Sequence, residues 1–424
     1  MNQPKLNILL FNMQTYADLE NGIVNRNAFI LRNLLKHRYV NKILAVDFIH
    51  FRKKRLLKDY YQSVFEATYA QRSIFQSFWS RCRSVKTSSG EDEKLFVYST
   101  VNQLKDPALI VKELTMLLKR LDMNGNLVVW SYNPLYTGFF RAFGQRLDVF
   151  DTVDNWMTHS SHKHHKELLA TNYKKISHEA DVIFTVSENL VDFYKTFHRV
   201  KDVFHIPNGV DLDIFQKTTL EAKFSEAFKK IPHPRLGYLG SITQDRVDID
   251  LIAYIAKNNP DKSVVLAGPV WKGLRHEVQR KLLWCHNVSM LGRIPYQQTP
   301  AVMDQFDVCL NPHQFSNFIR YTDPMKIYEY LALGKPVVSS ANEGLEKYQD
   351  LIYLCSTRRD FHDKIKLALH EDDPHRLCSM RMQWASQNSY QSRVDQMIEI
   401  IFKNFSINFA DETLLDRFQT QHHS

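Results

Sequence analysis

Short apolar runs rich in β-branched residues recur along this chain, most of them followed by a segment of helical periodicity. That alternation restricts it to α/β architectures in which helices cover parallel sheets. In the first half the runs are Leu6–Phe11, Ile43–Phe48, Leu95–Tyr98, Leu127–Ser131, Val149–Thr152, Val182–Val186 and Val203–Ile206, with helices predicted over Val24–His37 and Pro107–Leu121. Two prolines in Ile231-Pro232-His233-Pro234 interrupt any regular element. The pattern then restarts with Arg235–Gly240, Val264–Ala267, Val288–Leu291, Val308–Asn311 and Val337–Ser339. A chain of 424 residues is too long for one ordinary core. We therefore read two Rossmann-like doubly wound domains facing a central cleft: residues 1–215, a linker over 216–233, a second, smaller domain over 234–390, and a C-terminal helix and tail over 391–424 that crosses back to the first domain. Open α/β sheets bind ligands beyond the carboxyl ends of their strands, so function is expected in the cleft.

No apolar run reaches the roughly eighteen residues of a membrane span, and the start MNQPKLNILLFNMQ lacks a signal-type pattern. The expected location is the cytoplasm. Five widely spaced cysteines, none in C-x-x-C, argue against a disulfide framework or a zinc site. The formal charge of +9 is concentrated: Arg52 to Lys86 holds nine basic residues against Asp59 and Glu66, inside an insertion over 51–90. Its aromatic and apolar residues recur at roughly helical spacing, which fits either a face for an anionic membrane or a hairpin packed on the first domain. No nucleic-acid-binding motif accompanies the charge, and no nucleic-acid partner is expected.

The most informative stretch is DPMKIYEYLALGKPVVSS, Asp323 to Ser340. Asp323 reads as an N-cap, Pro324 as the first helical residue, Gly334 as a stop and Pro336 as a bar to continuation. The N–H groups of that helix start make an anion site; Lys326 lies in its first turn and Glu329 on the same face three residues on. A cation for a diphosphate and a carboxylate for ribose hydroxyls would share one wall. A solvated Lys/Glu pair is the plain alternative.

This segment resembles the donor-site helix of the group 1 glycosyltransferases of the two-Rossmann GT-B fold. The similarity is greatest to the branch with a P-x-K-x-x-E-Y-L-A pattern that includes teichuronic-acid-type and other surface-polysaccharide enzymes. Further matching pieces follow in the family's order: VIFTVSENL, HIPNGVDLDIF, GYLGSI, VVLAGPV, LGRIPYQQTP and FDVCLNP, spread over residues 182–312. The resemblance implies transfer of a hexose-type sugar from a nucleotide diphosphate-sugar to a glycan or lipid-linked acceptor, with retention and with no cofactor or metal. It implies that Glu329 binds the donor ribose, that the backbone around Arg293 and Ile294 reads the base, and that Gly22, Gly240, Pro324 and Met325 border the donor. Ser241 and Arg246 stand where the family often has an arginine and a lysine, so half of the cationic clamp is missing and Lys326 can substitute. Tyr321 occupies the place of the first glutamate of the family's E-x7-E pair, which implies altered sugar recognition or catalytic detail. A catalytically silent partner of the same fold and a nucleotide-sugar epimerase are the rival readings.

In the first half VVWSYNPL and VFDTVDNW place polar residues directly after strands. Asn133 and Asn155 are candidate acceptor contacts, and Asp154 is a candidate catalytic carboxylate or a helix cap. His159, His162, His164 and His165 cluster without metal-ligand spacing. Asp211-Leu212-Asp213 follows the turn Asn208-Gly209 and is assigned to the interdomain connection rather than to a metal.

Overall fold

The computed structural model describes residues 5–20, 22, 24–48, 80–85, 94–100, 106–199, 202–215 and 219–404. The basic-aromatic run 51–79 and the tail 405–424 lie outside the described residues. The first unit runs β1 (Leu6–Phe11), α1 (Tyr16–Glu20), α2 (Arg26–Lys36), β2 (Val40–Phe48), β3 (Ser80–Val85), β4 (Leu95–Thr100), α3 (Pro107–Arg120), β5 (Leu127–Ser131), β6 (Leu147–Thr152), α4 (Lys166–Glu179), β7 (Val182–Thr185), α5 (Glu188–Lys195) and β8 (Val203–His205). Its eight strands are ordered β3-β4-β2-β1-β5-β6-β7-β8, and every neighbouring pair is parallel except β3 with β4. All six residues of β1 are buried, as a strand covered by helices on both faces requires.

The second unit runs α6 (Leu212–Phe215), α7 (Ala222–Lys229), β9 (Arg235–Leu239), α8 (Ile249–Asn258), β10 (Ser263–Ala267), α9 (Arg275–Leu282), β11 (Val288–Gly292), α10 (Thr299–Asp304), β12 (Val308–Asn311), α11 (Met325–Ala332), β13 (Val337–Ser340), β14 (Tyr353–Cys355), α12 (Arg358–Leu369) and α13 (Pro374–Gln387). Its six strands form a parallel sheet in the order β11-β10-β9-β12-β13-β14. Strand order reverses between β1 and β5 in the first sheet and between β9 and β12 in the second. These are the switch points at which such sheets open a crevice.

Two stretches differ from the sequence reading. The end of the basic insertion, Ser80–Val85, is an antiparallel edge strand and not helix. The stretch read as a linker contains α7, whose Phe224 and Phe228 are buried in the second core.

The chain crosses between the units twice. Val210 on the outward crossing and Ser389 on the return pair in parallel; Val210 N donates to Asn388 O at 3.1 Å, and Tyr390 N donates to Val210 O at 3.1 Å. A Cβ on Gly209 would lie 2.8 Å from the Ser389 carbonyl carbon, so the crossings touch backbone to backbone. Beyond the return, α14 (Tyr390–Asn404) packs on α2 and puts Val394, Met397, Ile398, Ile401 and Phe402 into one core with Leu6 and Phe29.

Candidate active site

Helix α11 is pinned beneath the second sheet's switch point: Leu239 N donates to Tyr330 Oη at 3.0 Å, and Tyr330 Oη donates to Leu310 O at 3.4 Å. The Lys326 chain thereby lies across Gly240, where a Cβ would come 2.2 Å from Lys326 Cε. A Cβ on Gly268, at φ 145°, would in turn come 2.0 Å from Gly240 O. Two glycine loops thus meet without side chains beneath one lysine. Lys326 Nζ is 4.0 Å from Glu329 Oε2. Glu329 is buried; desolvation pushes its carboxyl up and Lys326 pulls it partly back. His313, just past β12, is buried too. Desolvation, with Arg246 and Lys326 nearby, holds its imidazole down at about 3, so it is neutral at neutral pH.

The helix start differs from the expected cap. Pro324 takes the N-cap position, Met325 opens the helix, and Asp323 makes no cap. Its carboxylate instead accepts from Asn208 N at 2.7 Å, Tyr328 Oη at 2.8 Å and Lys347 Nζ at 3.1 Å. Asn208 Nδ2 also donates to Asp323 O at 2.7 Å, its own carbonyl accepts from Arg393 Nε at 3.1 Å, and Arg26 Nη1 reaches its Oδ1 at 3.4 Å. Arg26 is itself buried against Asp151, Nε to Oδ1 3.2 Å. The hinge, the first domain and the start of α11 therefore share one buried polar network.

The remaining donor-side candidates lie around this wall. Ser241 is exposed, and its carbonyl accepts from Tyr238 Oη at 3.2 Å. Arg293 is exposed and Ile294 half-buried on the loop after β11. Met325 packs on the first domain's core. Tyr321 is taken up by interdomain packing: its ring meets Phe193 at 6.2 Å and its carbonyl accepts from Ser187 Oγ at 2.9 Å. Gly22, at φ 77°, is the turn that closes α1, its N donating to Leu19 O at 3.1 Å.

Across the cleft, Arg246 Nη2 lies 3.4 Å from Asp154 Oδ2, and its guanidinium sits 5.0 Å over the Phe318 ring. His159 stands edge-on to that same ring at 4.8 Å and 3.7 Å from Asp245, and Ser160 Oγ donates to Asp245. Asp154 therefore faces the second domain and does not cap the turn that follows. That cap is Asn155, whose Oδ1 accepts from Met157 N at 3.1 Å. Asn133 Oδ1 is likewise used locally, accepting from Leu135 N at 2.9 Å. His162 stacks on Trp156 at 4.3 Å. Asp211 and Asp213 pair with Arg32 and Lys36 of α2 at 3.7 and 2.7 Å. Among the described residues no three His, Cys, Asp or Glu side chains gather closely enough to hold a metal ion.

Sequence reasoning did not find Arg26, Asp151, Asn208 or His313 as members of the network or the site. Asp151 and Asn208 sit inside motifs already singled out, VFDTVDNW and HIPNGVDLDIF, which was the available signal. Arg26 and His313 carried none.

Two facing parallel sheets with their switch points across one cleft define the GT-B fold. Known proteins agree: HepE of Anabaena, solved in complex with UDP and glucose, superposes with a TM-score of 0.65 at 16% identity over 93% of this chain and 98% of that one. Sucrose-phosphate synthase from Thermosynechococcus elongatus does so with a TM-score of 0.65 at 13% identity, over 95% and 100%. Residues 249–399 match the sequence model of a family described as glycosyl transferase-like. The Bacillus subtilis (strain 168) protein TuaH, provisionally named a teichuronic acid biosynthesis glycosyltransferase, is 26% identical over 213 residues, 47% of this chain and 52% of that protein. The match thus spans about half the length of this curated relative, and the resemblance to group 1 glycosyltransferases is borne out.

Proposed function

We propose that the protein is a glycosyltransferase that takes a sugar from a nucleotide diphosphate-sugar held against the second domain and passes it to an acceptor held against the first. The observation that carries this reading is Lys326 stretched over the side-chain-free meeting of Gly240 and Gly268, with buried Glu329 one turn along the same helix. The lysine and the helix N-terminus suit a departing diphosphate, and a dehydrated carboxylate suits a ribose diol. Arg246 adds a second cation. Because HepE was solved with UDP, uridine is the first base to test.

The test is a thermal-shift panel of UDP, GDP, dTDP and ADP with their sugars. One nucleotide should stand out, since occupancy at a hundred times Kd stabilises by about 2.7 kcal/mol. Stabilisation by none of them would defeat the reading; binding without transfer to any acceptor would favour the silent partner.

We further infer a hexose-type donor, retention at the anomeric carbon, a glycan or lipid-linked acceptor in surface-polysaccharide synthesis, and catalysis without a divalent metal. Similarity to the teichuronic-acid branch supports the pathway, and the two cations with the helix N-terminus supply the positive charge a metal would bring. Full turnover in EDTA checks the last point, and manganese-reversible inhibition would overturn it. Within the described residues no helix is long and apolar enough to cross a membrane. Peripheral attachment through residues 51–86 predicts salt-sensitive co-sedimentation with anionic liposomes, lost when Arg52, Lys53, Lys54 and Arg55 are neutralised.

A further inference from the structure

Arg246 and Asp154 reach each other from backbones that are each fixed by their own domain. Gln314 N donates to Arg246 O at 2.9 Å, and the neighbouring Val247 bridges His313, which anchors the arginine beside the second switch point. Asp154 O accepts from Tyr173 Oη at 3.1 Å, which anchors the aspartate at the end of β6. Only the two side chains are left to rearrange. Their charged ends meet at 3.4 Å, with 35% of the arginine side chain and 20% of the aspartate side chain exposed. Burial raises the Asp154 carboxyl, while Arg246 and then His159 lower it, so the arginine is its principal counter-charge.

We propose that Asp154 is a positioning residue that competes with the donor's diphosphate for Arg246. The diphosphate takes the guanidinium, and the displaced carboxylate is left facing the cleft at the acceptor side. The proposal rests on the function proposed above. It assigns Asp154 a role that neither the cap reading nor the catalytic-carboxylate reading contains. The side chain sets where Arg246 sits, and its negative charge opposes donor entry. An adjoining contact across the same cleft, Asp245 with His159 and Ser160, serves as the internal comparison: it joins the same loops through a different carboxylate.

The experiment is calorimetric titration of UDP, or of whichever nucleotide the panel selects, into wild type, Asp154→Asn, Asp245→Asn, Arg246→Gln and the Asp154→Asn/Arg246→Gln double variant. Removing the competitor should tighten binding in Asp154→Asn by about fivefold, the equivalent of one partly screened ion pair. Asp245→Asn should bind as wild type does, and Arg246→Gln should bind more weakly. In the double variant the gain from Asp154→Asn should vanish, because its only target is gone. Unchanged or weaker binding in a folded Asp154→Asn protein would overturn the proposal, as would an equal gain in Asp245→Asn, which would mean that loosening the cleft is enough. Should Asp154→Asn fail to fold, Asp154→Ser and Asp154→Ala remove the same charge; unchanged or weaker binding in whichever of them folds would count against competition. Failure of the wild type to bind any of the four nucleotides would instead defeat the functional reading itself.

Discussion

Burying a carboxylate with only one lysine at 4.0 Å to oppose the loss of water is unfavourable, and Glu329 is buried in that way. Its raised carboxyl means that the folded state holds a proton more tightly than the unfolded chain does. Ionising Glu329 therefore costs stability as pH rises from the ordinary carboxylate range through the raised folded value. Glu329→Gln should melt at the same temperature as wild type or higher at pH 8, while its affinity for the donor nucleotide falls by about tenfold or more, the scale of one charge-assisted hydrogen bond. Since the ionised form accepts from the diol, donor affinity in wild type should also fall on acidification, beginning at a higher pH than for an ordinary glutamate. Calorimetry between pH 8 and 5 on wild type and Glu329→Gln checks both; a pH-independent wild type would remove Glu329 from the donor wall.

At the scale of elements, the two glycine loops under Lys326 have no room for a side chain. Gly268→Ala would drive a methyl into Gly240 O at a backbone angle that L-residues rarely adopt, so urea unfolding should show a loss of more than about 2 kcal/mol. Stability within about 0.5 kcal/mol of wild type would mean that the loops part easily. The same elements show what can be read from a sequence. Strands such as Leu6–Phe11 are continuous apolar runs because helices cover both faces, and local pattern suffices for them. Edge strand Ser80–Val85 reads SRCRSV, with no such run, and Tyr353–Cys355 is only three residues long. The start of α11 was displaced by one residue because Asp323 is claimed by Asn208, 115 positions away. Lys326 and Glu329 were legible because they are neighbours on one helix; the Arg246–Asp154 contact was not, because it joins loops 92 positions apart.

For the whole molecule the decisive residue is Asn208, whose backbone and side chain hold Asp323, Arg393 and Arg26 together at the hinge. Asn208→Ala leaves the backbone bond from Asn208 N to Asp323 but removes the side-chain links, stranding part of a buried network. A loss of about 1–3 kcal/mol is expected in urea. Tryptophan fluorescence and circular dichroism should report one coincident transition in wild type and two separated ones in the variant, as the domains uncouple. Coincident transitions in the variant would show that the hinge does not depend on this side chain.

The return crossing at Ser389 bears on how the protein is made. The first core takes in Val394, Met397, Ile398, Ile401 and Phe402, side chains that reach the ribosomal exit only after the whole of the second unit has been synthesised. Residues 212–389, which hold the elements of the second unit, can condense as they emerge, whereas the earlier-made half keeps an open apolar groove along α2 until α14 arrives. The half that is translated first is the half that finishes folding last, and a released chain cut short before residue 390 would carry a second domain with all of its elements on an unfinished first one.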